Sequence, residues 1–286
     1  MAIILGQIKT GFNGFQRLLD LDNNINIEDC EIDISNWIDA NMCAPFGAIL
    51  YKKKLGNIPI RISNISTFVR SILQKNHFLS QFGVLEKPDS YGTTIEYRRF
   101  ETTAYVYEDF KKYVAKYFKS GVLGLPEMTP ALLKRFRESL FELFSNAIEH
   151  SYTQHGIFTC GQFFPNKRRL CFTIGDLGIG IDGNIYKNLQ VKLPPELAIK
   201  WAMSGKTTRR GRSGGLGLQL IQEFIRLNKG RLIVVSNKGY WELSGGDVST
   251  HTFSIPFSGT VVTIDIDTAD KTSYCLSSEI GSSDVF

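Results

Sequence analysis

A carboxylate and a carboxamide one helical turn apart, Glu142 and Asn146, lie in ALLKRFRESLFELFSNAIEHS, a stretch whose apolar residues recur at helical spacing. With His150 they climb one face at i, i+4, i+8. An amide oxygen suits Mg²⁺, a hard cation that takes oxygen ligands and usually binds together with phosphates and water. A carboxylate beside it can orient and deprotonate a hydroxyl that attacks a γ-phosphate. Glu and Asn four apart are also common on solvated helices, so the pair gains meaning only from its company. His150 has two readings: it approaches a nucleotide, or it caps its own helix, whose negative end favours the charged imidazole.

Two further segments supply that company. TIGDLGIGI places Asp176, Gly178 and Gly180 directly after an apolar strand. A carboxylate at a strand end can accept a hydrogen bond from an adenine amino group, and glycines beside it let backbone approach the base. The plainer reading is a turn. SGKTTRRGRSGGLGLQLI runs Gly214, Gly215 and Gly217 into an apolar helix, with Lys206, Arg209, Arg210 and Arg212 around the loop. Exposed N–H groups at a helix start form an anion site, and the cations can neutralise phosphate charge. No G-x-x-x-x-G-K-[ST] occurs, so the phosphates are not held by a P-loop.

The order E-x-x-x-N-A-x-x-H, D-x-G-x-G, G-G-L-G-L and a final Gly259-Thr260 resembles the GHKL superfamily. That group holds gyrase-type topoisomerases, the large heat-shock chaperone of its class, sensor histidine kinases, MutL and anti-sigma-factor kinases. The resemblance spans roughly residues 130–266. It implies ATP and Mg²⁺ as ligands, with Glu142 activating the nucleophile, Asn146 ligating the metal and Asp176 reading adenine. It further implies that Gly178, Gly180 and Thr260 complete the base pocket and that Gly215, Leu216, Gly217 and Leu218 wrap the phosphates. Residues 205–214 would be a mobile lid, with Lys206, Thr207 and Thr208 among its nucleotide contacts. Arg212 is similar to the lid arginine of the anti-sigma serine-kinase branch, after a one-residue adjustment. Sensor histidine kinases usually carry an amide where this chain has Glu142, whereas hydrolytic members and serine kinases carry a carboxylate. His77 lacks the acidic-proline context of a phospho-acceptor helix and reads as a surface or interface histidine.

These residues need elements to position them. Thr129 as N-cap and Pro130 in the first turn open the helix that carries Glu142. GIFTCGQFF and RLCFTIGD, separated by PNKR, predict a hairpin. Helices follow at about 195–204 and 216–228, the latter closed by Gly230. RLIVVSN, THTFSIPF and TVVTIDI complete the strands. The expected fold is an α/β two-layer sandwich of the GHKL type over 129–267, with helices on one face of a mixed sheet. From 268 to 286 the small polar residues predict a loose tail. Residues 1–94 read as a smaller α/β domain: strands at 30–35 and 58–63, helices at 40–54 and 66–82, and hence a parallel pair. A connecting strand and helix would fill 95–128. Residues 28–82 resemble a STAS domain, but Asp39-Ala40-Asn41-Met42 offers no hydroxyl where that family has its phosphorylated serine. The segment therefore reads as a docking or oligomerisation surface, with Met42, Phe46 and Ile49 in the core.

The bulk numbers agree with a soluble globular chain. Of 286 residues 43% are hydrophobic and 21% charged, enough for a real core, and the net charge is +5. Basic clusters such as Lys52-Lys53-Lys54 are short and read as solvated surface rather than a nucleic-acid footprint. Five cysteines without C-x-x-C spacing suggest neither a disulfide framework nor zinc. The opening residues lack the features of a secretion signal and no apolar run is long enough to span a bilayer, so a cytoplasmic protein is expected. The expected activity is Mg-dependent ATP hydrolysis or serine/threonine phosphorylation, lid closure controlling a protein partner engaged by the N-terminal domain; homodimerisation stays open. The alternatives are a non-hydrolysing ATP-gated interaction module and a DNA-acting ATPase.

Overall fold

The two strands on either side of Pro165 are buried on both faces: nearly every residue of β5 (Ile157–Phe164) and β6 (Arg169–Asp176) is inaccessible. A sheet built from such strands has to be covered twice. That requirement organises the computed structural model of the chain, which describes residues 2–25, 30–208 and 216–279. β5 and β6 form the expected hairpin. With β4 (Thr94–Phe100), β7 (Arg231–Ser244) and β8 (Asp247–Asp267) they make a five-stranded sheet in the order β4-β5-β6-β8-β7. Every pairing in it is antiparallel, which corrects the mixed sheet expected above. The reason is the connectivity: the chain leaves β6 for a helical excursion, returns at the far edge as β7, and β8 folds back by a hairpin into the gap.

Alternate residues of these strands feed two separate cores. Phe172, Ile174, Leu232, Val234 and Ile264 point to one face, where α4 (Val106–Tyr117), α5 (Pro130–Ser151) and α8 (Leu216–Asn228) bring Phe110, Phe136, Phe144 and Phe224 against them. Phe158, Cys160, Ile233, Val235 and Val261 point to the other. There they meet Phe15 and Leu18 of α1 (Phe12–Asn24) and Phe46 and Ile49 of α2 (Cys43–Leu55). Those two helices also cover a three-stranded parallel sheet of β1 (Ile3–Ile4), β2 (Cys30–Asp33) and β3 (Ile60–Ser63), in the order β1-β2-β3. The layers run sheet, helices, sheet, helices. The two-layer sandwich is therefore only half of the stack.

Several local expectations change with this packing. The segment 39–42 does not face outward for a partner. It is buried at the start of α2, where the Ala40 N–H donates to Gln162 Oε1 (2.9 Å) and Asn41 Nδ2 to Thr173 Oγ1 (3.1 Å). Met42, Phe46 and Ile49 are core, as expected. The connector 95–128 is integral: β4 is an edge of the large sheet and Phe110 stacks on Phe144 of α5. The helix expected over 66–82 breaks into α3 (Thr67–Lys75) and a 3-10 turn, because the buried Asn76 takes the Phe78 N–H on its side chain and His77 turns left-handed at φ 64. The three strands expected after residue 230 are one long hairpin, with β8 running through Pro256 as a single strand. The loose tail is pinned as far as residue 279: the Thr129 N–H donates to the Tyr274 carbonyl and the Tyr274 N–H to the Glu127 carbonyl, both at 2.9 Å. Residues 280–286 lie outside the described residues.

Candidate nucleotide site

Helix α5 begins as its sequence requires. The Leu132 N–H donates to the Thr129 hydroxyl at 3.2 Å, and Pro130 takes the first helical position, where no N–H is missed. Further along, its apolar stripe packs on the sheet, so Glu142, Asn146 and His150 fall along the edge of that contact. They form one wall of a cleft enclosing about 1130 Å³, counting the part open to solvent. Ile174, Val234, Thr260 and Val262 of the sheet make its floor. The far wall comes from α6 (Gly180–Leu189) and α7 (Pro195–Met203) through Ile181, Asn184, Ile185 and Trp201. Mostly apolar walls with a few converging polar groups are the ordinary make-up of a small-molecule site.

Asp176 sits at the floor's end, 2% exposed. Burial pushes its carboxyl up to about 7, although the Gly178 and Thr260 backbone N–H groups donate to it and pull the other way. The Gly178 N–H lies 2.8 Å from Oδ1. A carboxyl poised this way gains from a donor brought in by a ligand, since a hydrogen bond to the ionised form offsets lost solvation. Gly178 itself is not a cleft residue. Its missing side chain lets the loop cross the end of α5: a Cβ there would lie 2.1 Å from the Ser151 carbonyl oxygen. Gly180 does line the cleft, and so does Thr260.

Glu142 faces the start of α8. Its Oε2 accepts the Gly217 N–H at 2.8 Å, so one carboxylate oxygen already occupies a helix-start donor of the kind that attracts phosphate. Any side chain at residue 217 would obstruct this approach, since a Cβ would stand 2.5 Å from that same oxygen and 3.0 Å from Ser139 Cα. Leu218 lines the cleft, as do Lys206, Thr207 and Thr208 at the beginning of the expected lid. Leu216 opens α8. Arg209, Arg210, Arg212, Gly214 and Gly215 lie outside the described residues.

The donor set fits a metal that arrives with a nucleotide. Asn146 gives a carboxamide oxygen on the cleft wall for a metal, and Glu142 one turn away a carboxylate for the base. Among the described residues no group of three or more His, Cys, Asp or Glu is placed to cage a metal alone. Mg²⁺ is a cation that keeps waters and substrate phosphates in its shell and needs few protein donors.

The principal omission from the sequence reading is α6. Asn184 is 7% exposed; its Nδ2 donates to the His150 carbonyl (2.8 Å) and its Oδ1 accepts from the Thr208 hydroxyl (3.0 Å). It thus links the end of α5 to Thr208, near the start of the segment expected to form a lid. Ile181, Ile185, Trp201 and Met203 also line the cleft, on α6 and α7, with no local motif to mark them.

Residues 132–270 match the family described as Histidine kinase-, DNA gyrase B-, and HSP90-like ATPase, domains that bind ATP, typically with Mg²⁺. The match takes in every cleft residue named above and leaves out β4, α4 and the N-terminal layers. No curated protein matches the chain. No helix among the described residues is long and apolar enough to cross a membrane.

Proposed function

We propose that this chain, whose residues 132–270 form a GHKL-type ATPase domain, is a regulatory enzyme that binds MgATP in the cleft and transfers its γ-phosphoryl group to water or to a protein serine or threonine. The observation that carries the reading is the convergence of three distant segments: the buried Asp176 carboxyl at one end of the cleft, and at the other Glu142 held against the Gly217 N–H. One end suits a purine amino group and the other suits phosphate. Asn146, between them on the same wall, would hold the metal, which when bound offsets phosphate charge. Glu142 has one oxygen engaged by Gly217, and its carboxylate would accept the proton from the attacking hydroxyl. Lys206, Thr207 and Thr208 would close on the phosphates as the expected lid shuts over them.

A second reading has its own support. The Glu142–Gly217 bond ties the catalytic carboxylate to α8, and the Asn184–Thr208 bond ties the lid to α6. A ligand that breaks or tightens these contacts would shift helix positions without chemistry, which is an ATP-gated interaction module. The N-terminal layers enter here as a proposed STAS-like regulator acting within the chain; their parallel strands joined by α1 and α2 support it. The branch with anti-sigma serine kinases rests on Glu142 and on Arg212. Glu142→Gln separates the readings. It keeps an acceptor for the Gly217 N–H and removes the base, so MgATP affinity should stay within about twofold while phosphoryl transfer drops at least about 100-fold. Purified protein is incubated with γ-labelled ATP with and without cell extract. Equal label release or transfer in both proteins removes Glu142 from catalysis, and none in wild type leaves the gated module.

A further inference from the structure

Behind the floor of the cleft lies a buried hydroxyl that the catalytic reading does not use. Ser236 is on β7, directly opposite Thr260 of β8, and is 1% exposed. The Ile181 N–H donates to Ser236 Oγ at 2.8 Å. Thr260 Oγ1 is 3.0 Å from the same oxygen, and the Gly259 carbonyl 3.4 Å. Thr260 in turn lines the cleft and donates its backbone N–H to Asp176.

A hydroxyl has one hydrogen and two lone pairs. With one Ser236 lone pair taken by Ile181, two arrangements remain. In the first, Ser236 donates to Thr260 Oγ1, and the threonine's own hydrogen is released toward the cleft. In the second, Thr260 donates to Ser236 and Ser236 donates to the Gly259 carbonyl, so Thr260 shows the cleft only lone pairs. The distances choose: O–H···O bonds favour about 2.5–3.0 Å, which the contact to Thr260 meets and the 3.4 Å contact to Gly259 does not. Thr260 is therefore set as a donor beside Asp176, an acceptor when ionised.

We propose that Ser236 is a positioning residue that orients the Thr260 hydroxyl and so makes the base pocket read adenine against guanine. An acceptor beside a donor complements adenine, whose amino group donates and whose N1 accepts. Guanine shows the reverse at both positions, a carbonyl oxygen and an N1–H, and leaves Asp176 and Thr260 facing like groups. Unpaired buried polar groups are the strongest source of such rejection. The assignment rests on the cleft being the adenine-nucleotide site.

The test is a double-mutant cycle on discrimination rather than on affinity. MgATP and MgGTP are titrated against wild type, Ser236→Ala, Thr260→Val and the double variant, with thermal unfolding of each confirming the fold. Wild type should prefer ATP. Ser236→Ala should lower the ATP-to-GTP affinity ratio about fivefold, and the double variant should match Thr260→Val, because Ser236 acts only through Thr260. Ser236→Thr, which keeps the hydroxyl, should restore most of the ratio. Equal weakening of both nucleotides in Ser236→Ala, or additive losses in the double variant, overturns the assignment while the nucleotide site stands. Should Ser236→Ala not fold, Ser236→Thr and Thr260→Val decide: the first must keep the ratio and the second lose it. Wild type that binds neither nucleotide overturns the site reading, and this one with it.

Discussion

At the scale of single residues the site turns on Asp176, because its chemistry can be read without any nucleotide triphosphate. Burial raises its carboxyl to about 7 from an ordinary 3.8, so the folded chain holds this proton over a range where the unfolded chain has lost it. Its contribution to stability is therefore full below the unfolded value and is lost as pH rises through about 7. A purine amino group favours the ionised form, so binding must expel the proton where it is present. Adenosine, which has no phosphate to titrate, isolates the effect. At about pH 6 its binding should release most of one proton and at about pH 8.5 almost none, with affinity rising between the two. Calorimetry in buffers of different ionisation enthalpy reads this directly. Asp176→Asn should bind weakly and release nothing; matching proton release from the variant would remove Asp176 from the base pocket. Asp176 draws notice in the sequence as the D of D-x-G-x-G at the end of an apolar strand, although a turn accounts for that motif equally well, and its burial at the cleft comes only from the fold. Asn184 is not legible, because nothing in N-I-Y-K-N announces a residue that bonds both the end of one helix and the Thr208 hydroxyl.

At the scale of elements, legibility followed the start signals. α5 has a threonine cap and a first-turn proline, and the sequence reading placed both its ends. α1 starts at Gly11 and α6 just after Ile179, neither with a side-chain cap, and α6 carries Gly180 and Gly183, poor helix formers. α1 carries Phe12, Phe15, Leu18 and Leu19 at helical spacing but no start signal, and without α6 the cleft lacks Ile181, Asn184 and Ile185. Tertiary packing stabilises both helices; α1 shows it in its apolar spacing, whereas α6 offers little beyond two glycines. The loop between β6 and α6 shows how tight that packing is. Gly178 meets backbone of Ser151, whereas Gly83, also a loop glycine, has φ +74 and nothing within 4 Å of where a Cβ would stand. Gly178→Ala should cost about 2 kcal/mol by overpacking and weaken nucleotide binding, since the loop holds Asp176. Gly83→Ala should cost about 1 kcal/mol from its backbone conformation alone and leave binding unchanged. Urea unfolding and ATP titration on both proteins check the contrast; similar losses of binding would mean the α5 crossing does not position Asp176.

At the scale of the molecule, the N-terminal layers and the five-stranded sheet share one core, so the polar break at 86–94, with Pro88 and Gly92, is a boundary in sequence and not in packing. Phe158, Cys160, Ile233, Val235 and Val261 would stand in water without α1 and α2. The seam is also specified by polar pairs that an unspecific apolar contact would not need. Asn41 bonds Thr173, which pairs with Thr263 at 2.9 Å, and the Thr10 carbonyl receives Arg231, whose guanidinium also grips the buried Asp265. Such buried groups are costly if parted, because each would lose its partner. Both halves should therefore unfold together. Trp37, which stacks on Phe68, reports on the N-terminal layers, and Trp241 on the five-stranded sheet. Variants keeping only one of the three tryptophans, Trp37 in one protein and Trp241 in the other, should give urea transitions whose midpoints shift in parallel with those from circular dichroism of the same protein. Asn41→Ala should lower both midpoints together, by about 1 kcal/mol of stability, because it removes a hydrogen bond across the seam while the Thr173 hydroxyl keeps Thr263. A Trp37 transition that comes early while the Trp241 signal and ATP binding persist would show the layers to be separable. The N-terminal unit could then regulate the cleft by leaving it, and the shared core would be a contact that opens rather than a fixed foundation for the site.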